Sequence, residues 1–185
     1  MGKTPGQKAA RVKGVKMSES EILRKIAVIF VTDVVGFSTL MAQNEELTLR
    51  SFRSCKEILD NLFEEHSGRI FNTAGDSVLA EFPSAVSAVI CAVEFQKLIK
   101  ARNASVTNAA QMQFRIGLNM GDVIIEGTNL YGDGVNVAAR LEALSQAGGV
   151  CLSKSIHDFV SQKVDLGFQD IGAQQVKNTL SLIHI

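Results

Sequence analysis

The chain has 185 residues, is 46% apolar, and balances 19 basic against 19 acidic side chains. That size and apolar content suit one domain with a proper core. The apolar runs are too short for a membrane span and no signal peptide opens the chain, and the absence of Trp with a single Tyr argues against an aromatic platform for nucleic acid.

Charge is uneven along the chain. Before Ser18 come Lys3, Lys8, Arg11, Lys13 and Lys16 with no acidic residue. Residues 1–20 therefore read as a disordered basic leader or an added segment, with nucleic-acid or membrane-surface contact as the alternative. The domain proper is expected over 21–185. Lys25 to Thr32 (KIAVIFVT) is nearly all apolar and predicts a central strand covered on both faces. Leu47, Cys55, Ile58, Leu59, Leu62 and Phe63 recur at helical spacing from Glu45 to His66, and Ser67-Gly68 should end that helix with glycine as the left-handed cap. Arg69 to Thr73 and Val78 to Phe82 flank Ala74-Gly75-Asp76-Ser77, predicting a hairpin with Asp76 presented at its tip.

Past Pro83, Ser84 can cap a second helix running through about Lys100, and Arg102 to Gln111 reads as a loop. Gln113 to Asn119 and Asp122 to Glu126 are expected as a strand pair joined near Gly121. Val135 to Ser145 should be a helix after the turn at Gly127 to Gly134. A strand near Val150 to Leu152, a helix from Ser153 to about Val160 and a terminal strand pair complete the chain. The order predicts an α+β fold, a ferredoxin-like βαββαβ sheet with a C-terminal α/β elaboration. Cys55, Cys91 and Cys151 are odd in number and widely separated, which predicts buried free thiols in a reducing, cytoplasmic compartment.

Two carboxylates stand out, Asp33 in FVTDVVGFSTL and Asp76 in RIFNTAGDSVLAEF. Each alone is explained by turn chemistry. Brought together at neighbouring strand ends, beside backbone N–H groups, they form the hard oxygen pair that holds Mg²⁺ on a nucleoside triphosphate. A third segment, NLYGDGVNVAARLEAL, places Asn136 and Arg140 four residues apart on one helical face. A helix cap and a solvated charge are the plain alternatives for those two.

Together the segments VTDVVGFSTLM, GRIFNTAGDSVLAEFP, FRIGLNMGDVIIEG, YGDGVNVAARLEAL and DLGFQDIGAQQVKN resemble the catalytic domain of class III nucleotidyl cyclases, the adenylyl and guanylyl cyclase family, from about Arg24 onward. The resemblance implies conversion of a nucleoside triphosphate to its 3′,5′-cyclic monophosphate and pyrophosphate, with two Mg²⁺ (or Mn²⁺) ions bound. It implies Asp33, Asp76 and the Val34 carbonyl as metal ligands, and the N–H groups of Val35, Gly36 and Phe37 as a triphosphate cradle. It further implies Asn136 and Arg140 as ribose-orienting and transition-state residues, and Lys177 as a contact to the terminal phosphates. The family's site lies between two head-to-tail subunits, so a homodimer is implied, with regulatory or effector domains outside this stretch of chain.

The base-reading positions depart from the adenylyl pattern. A lysine is usual where Asn72 stands, and an aspartate or threonine where Asn129 stands. An amide offers one donor and one acceptor edge and no charge. ATP is the first substrate expected, with GTP or a pyrimidine nucleotide as alternatives. A catalytically silent homology domain serving dimerisation or regulation is the alternative of a different kind.

Overall fold

A computed structural model describes residues 22–107, 109–174 and 180–184. Its centre is β1 (Leu23–Val34), whose apolar run is buried from Ala27 to Thr32. Two short connections carry the chain through α1 (Phe37–Gln43) to α2 (Glu45–Glu65) and into the hairpin β2 (Arg69–Ala74) and β3 (Ser77–Phe82). Next come α3 (Ala85–Ser105), β4 (Phe114–Glu126), β5 (Asn129–Tyr131), α4 (Asp133–Leu144), β6 (Val150–Ser153), α5 (Lys154–Val160), β7 (Gln169–Gln174) and β8 (Leu180–His184). The eight-stranded sheet has the order β2-β3-β1-β4-β6-β8-β7, with β5 added beside β4. Its first four strands carry the expected ferredoxin-like arrangement.

Period-two alternation divides β1 and β4 between two cores. Val28, Phe30 and Val34 of β1, with Phe114, Ile116 and Leu118 of β4, pack beneath α2, α3 and α5. Phe30, Phe63 and Phe82 form a ring cluster there, with centroids 5.1 to 5.8 Å apart. Ala27, Ile29 and Val31 face the other way, toward Val123, Leu130 and Ala138 of the smaller core under α4.

Several local expectations are corrected. The segment 114–126 is one continuous strand, because Met120 and Gly121 keep their register opposite Val28 and Ala27 of β1 and leave no room for a turn. The second helix runs on to Ser105, shortening the loop read from Arg102. The helix α1 has no counterpart in the sequence reading, and the strand β5 lies within the segment read as the turn at Gly127 to Gly134. At the end of α2 the left-handed residue is Ser67, with φ 59°, and not Gly68. Gly68 is glycine for space: a Cβ there would lie 2.6 Å from the Phe82 ring. Its N–H donates to Phe63 O at 2.7 Å, closing the last turn.

Asn44 caps α2 through its side chain, which accepts from the Leu47 N–H at 3.0 Å. Cys55, Cys91 and Cys151 are free and buried, as read. Burial pushes the Cys91 thiol up to about 12 and Cys151 up to about 11, so neither offers a reactive thiolate. No helix among the described residues is long and apolar enough to cross a membrane.

Backbone approaches backbone closely where α4 lies on β4. A Cβ on Gly117 would come within 2.2 Å of both Ala138 O and Glu142 N. Gly117→Ala should therefore destabilise the protein by about 2–3 kcal/mol. The urea-unfolding midpoint should fall with an unchanged slope.

Candidate active site

Asp33 leaves β1 on the face covered by α4 and stands directly opposite Arg115 of β4 in the antiparallel register. The arginine grips it in a fork, Nη2 donating to Oδ2 at 2.8 Å and Nε to Oδ1 at 3.2 Å. Asp76 reaches the same strand end from the β2–β3 turn, where Gly75 supplies φ 62°. Its Oδ2 accepts the Val34 N–H at 2.9 Å. That bond ties the hairpin tip to the end of β1, so Asp76 is half-buried and anchored, where the sequence suggested a freely presented tip. The two aspartates thus lie at the same strand end.

Arg115 and Glu142 were not singled out in the sequence, and the fold brings both into this cluster. Glu142, on α4, is 7% exposed, with Oε1 3.0 Å from Arg115 Nε. The charge of Arg115 is reinforced first by its bond to Asp33 and further by the fields of Glu142 and Asp76. Burial, and then the facing Asp33 carboxylate, push the Glu142 carboxyl up to about 8. A signal for both existed. Glu142 lies four residues past Ala138, on a stripe that is otherwise apolar, and Arg115 interrupts an apolar strand opposite Asp33.

The donor set suits a divalent cation. Asp33 and Asp76 at one strand end are hard oxygen ligands, the first paired with the Arg115 guanidinium and the second with the Val34 N–H. Among the described residues, no group of three or more His, Cys, Asp or Glu side chains is placed to hold a metal by itself. That fits an ion such as Mg²⁺, which uses one or two carboxylates and completes its shell with water and phosphate oxygens.

The remaining candidates fall in separate places. The Val35 N–H is engaged with Gln113 O at 2.8 Å, which removes it from the candidate cradle, while Gly36 and Phe37 stand at the opening of α1. Asn72 is exposed just beyond a register shift between Ile70 and Asn72 in the hairpin, and Phe71 at the shift is buried against the smaller core. Asn129 opens β5, and its Nδ2 donates to Tyr131 Oη at 3.3 Å. Asn136 is exposed and Arg140 half-buried on α4. They lie between about 120° and 160° round the helix from Glu142, at 3.6 residues per turn, and so face away from the Asp33 cluster. Lys177 lies outside the described residues. A groove of about 420 Å³ lined by Lys25, Ile26, Val28, Phe82 and Met120 flanks the opposite end of β1 and contains none of these residues.

The family model for the adenylate and guanylate cyclase catalytic domain matches residues 18–183. The chain belongs to this family, and it is a cyclase catalytic domain. It is 42% identical over 170 residues to a Rhizobium meliloti (strain 1021) protein named "Putative adenylate cyclase 3", covering 91% of this chain and 29% of that protein. The chain thus spans under a third of that relative's length. Among solved structures, an adenylate/guanylate cyclase/hydrolase from Silicibacter pomeroyi superposes with a TM-score of 0.80 at 35% identity, covering 89% of this chain and 98% of that one. The adenylyl cyclase CyaB from P. aeruginosa shares the fold, with a TM-score of 0.76 at 24% identity and coverage of 89% and 95%.

Glu142 should make the metal-free protein sensitive to pH. An acid whose folded pKa is raised binds its proton more tightly when folded. Its contribution is therefore complete below the unfolded value of about 4.3 and is lost as pH rises through the folded value. With Glu142 at about 8, stability should decline from roughly pH 5 upward. Glu142→Gln should flatten this decline in urea midpoints measured across the range, and an equal slope in the variant would assign it to another group.

Proposed function

We propose that the domain converts a nucleoside triphosphate, ATP first, to the 3′,5′-cyclic monophosphate and pyrophosphate at the interface of a homodimer. The observation that carries the reading is the convergence of Asp33 and Asp76 on one strand end, with a cationic side chain already seated on Asp33. Two Mg²⁺ (or Mn²⁺) ions held by these aspartates and the Val34 carbonyl would lower the pKa of the attacking 3′-hydroxyl and neutralise phosphate charge. Gly36 and Phe37 would direct backbone N–H groups at the triphosphate. Lys177 is the candidate contact to its terminal phosphates.

Asn136 and Arg140 would orient the ribose and stabilise charge developing on the α-phosphoryl oxygens. Arginine suits that task through its permanent charge and planar fork. Both face away from the aspartates of their own chain, so the reading needs a second copy to supply them. Two head-to-tail copies would form two equivalent sites.

Asn72 and Asn129 are the base-reading candidates. The Asn129 amide donates one hydrogen to Tyr131 Oη, and its second N–H and its Oδ1 can meet either a 6-oxo or a 6-amino purine. The absence of charge at both positions favours a second reading, a homology domain that dimerises without turnover.

Product formation should be followed by mass spectrometry with ATP, GTP, CTP and UTP in turn, in Mg²⁺ and in Mn²⁺, at high protein concentration. Cyclic AMP is the expected dominant product, and no product from any nucleotide would support the homology-domain reading. Asp33→Ala should abolish turnover while the fold is retained. Arg140→Ala should lower kcat by roughly a hundredfold with a smaller change in KM, and an equal loss in substrate binding would move its role to the ground state.

A further inference from the structure

Behind the metal-site aspartate lies an acceptor with nothing to accept. Glu142 Oε1 is buried and takes no hydrogen bond among the described residues, although Arg115 Nε stands 3.0 Å away. The Nε–H is turned instead toward Asp33 Oδ1, across a longer 3.2 Å contact. One N–H therefore has two carboxylates within reach and serves the more distant one.

Both Asp33 oxygens are occupied by the guanidinium, and a divalent cation needs at least one of them. The guanidinium cannot escape the conflict by losing its proton. It must give up Asp33 and find another acceptor. Asp76 is committed to the Val34 N–H and is itself a candidate ligand, which leaves Glu142 as the cluster's remaining carboxylate. Its placement is built into the fold: α4 comes so close to β4 that only glycine fits at position 117, opposite the backbone of Glu142.

We propose that Glu142 is a positioning residue for the metal site, receiving the Arg115 guanidinium so that Asp33 is released to a divalent cation. The inference rests on the assignment of Asp33 as a metal ligand. Glu142 touches neither metal nor substrate; it acts through the arginine, as groups behind first ligands do at many metal sites.

The test is Mn²⁺ binding, followed by the loss of the free-Mn²⁺ electron paramagnetic resonance signal, in the whole chain and in Asp33→Asn, Glu142→Gln, Arg115→Gln and the Glu142→Gln/Arg115→Gln double variant. Circular dichroism melts verify that each folds. Asp33→Asn should abolish saturable binding, and Glu142→Gln should weaken it about tenfold. In the Arg115→Gln background the same glutamate substitution should change affinity by less than about twofold. Wild-type affinity in Glu142→Gln would overturn the proposal. So would a loss as large without Arg115 as with it, since Glu142 would then act as a bare charge.

Mn²⁺ binding that is absent, or insensitive to Asp33→Asn, would remove the metal assignment and the proposal together. Sensitivity to Asp33 with indifference to Glu142 would remove the proposal alone. A second measurement avoids substitution at Glu142. In the wild-type protein, Mg²⁺ should shift the Arg115 Nε–Hε resonance in the arginine side-chain ¹⁵N spectrum, and an unmoved resonance at saturating Mg²⁺ would overturn the proposal.

Discussion

The seating of α4 on β4, backbone against backbone at Gly117 and Gly134, is the contact on which the rest of the site depends. On the face of β4 that meets the helix, the sequence reads Arg115, Gly117, Asn119, Gly121, Val123, and the glycines fall where the helix backbone is nearest. At the start of the helix, Gly134 is equally constrained, since a Cβ there would lie 2.8 Å from Asp122 O. Asn119, buried between them, donates to Gly134 O at 2.9 Å and pins the first turn. Backbone approach of this kind has no slack, because interiors pack at crystal-like density. The helix is therefore fixed in both height and rotation.

That fixed rotation distributes the chemistry of α4. One side carries Glu142 down onto Arg115 and, through it, onto Asp33. Another side carries Asn136 and Arg140 away from the aspartates of the same chain. On the proposed function, a single helix would serve two sites, its Glu142 side backing Asp33 of its own chain and its Asn136 and Arg140 side turned to a second copy.

The carboxylate cluster also shows how a fold holds acidic groups together at one strand end. Bare carboxylates at one strand end repel each other and resist burial. Here the Asp33–Arg115 pair is a cross-strand neighbour pair in the main sheet, and Asp76 is secured by a backbone N–H. Both aspartates are thereby held in place by groups that belong to the scaffold. The cost falls on Glu142, whose carboxyl is driven toward its neutral form.

The sequence by itself determined the order of elements and the candidate aspartates, because apolar periodicity and turn residues are local signals that survive in any context. The central strand, the two long helices and the hairpin carrying Asp76 were legible on that basis, and the specific spacing of the GDGVNVAAR segment made the family legible too. Glycine misled the local reading twice. Gly121 looked like a turn and proved to be a gap for Gly134, and Gly68 looked like a left-handed cap and proved to be room for the Phe82 ring. In each case the reason for glycine lies in a residue distant in sequence. Tertiary structure alone decided that Arg115 and Glu142 join Asp33, since strand register and the rotation of α4, both set by packing between distant segments, bring those charges into contact.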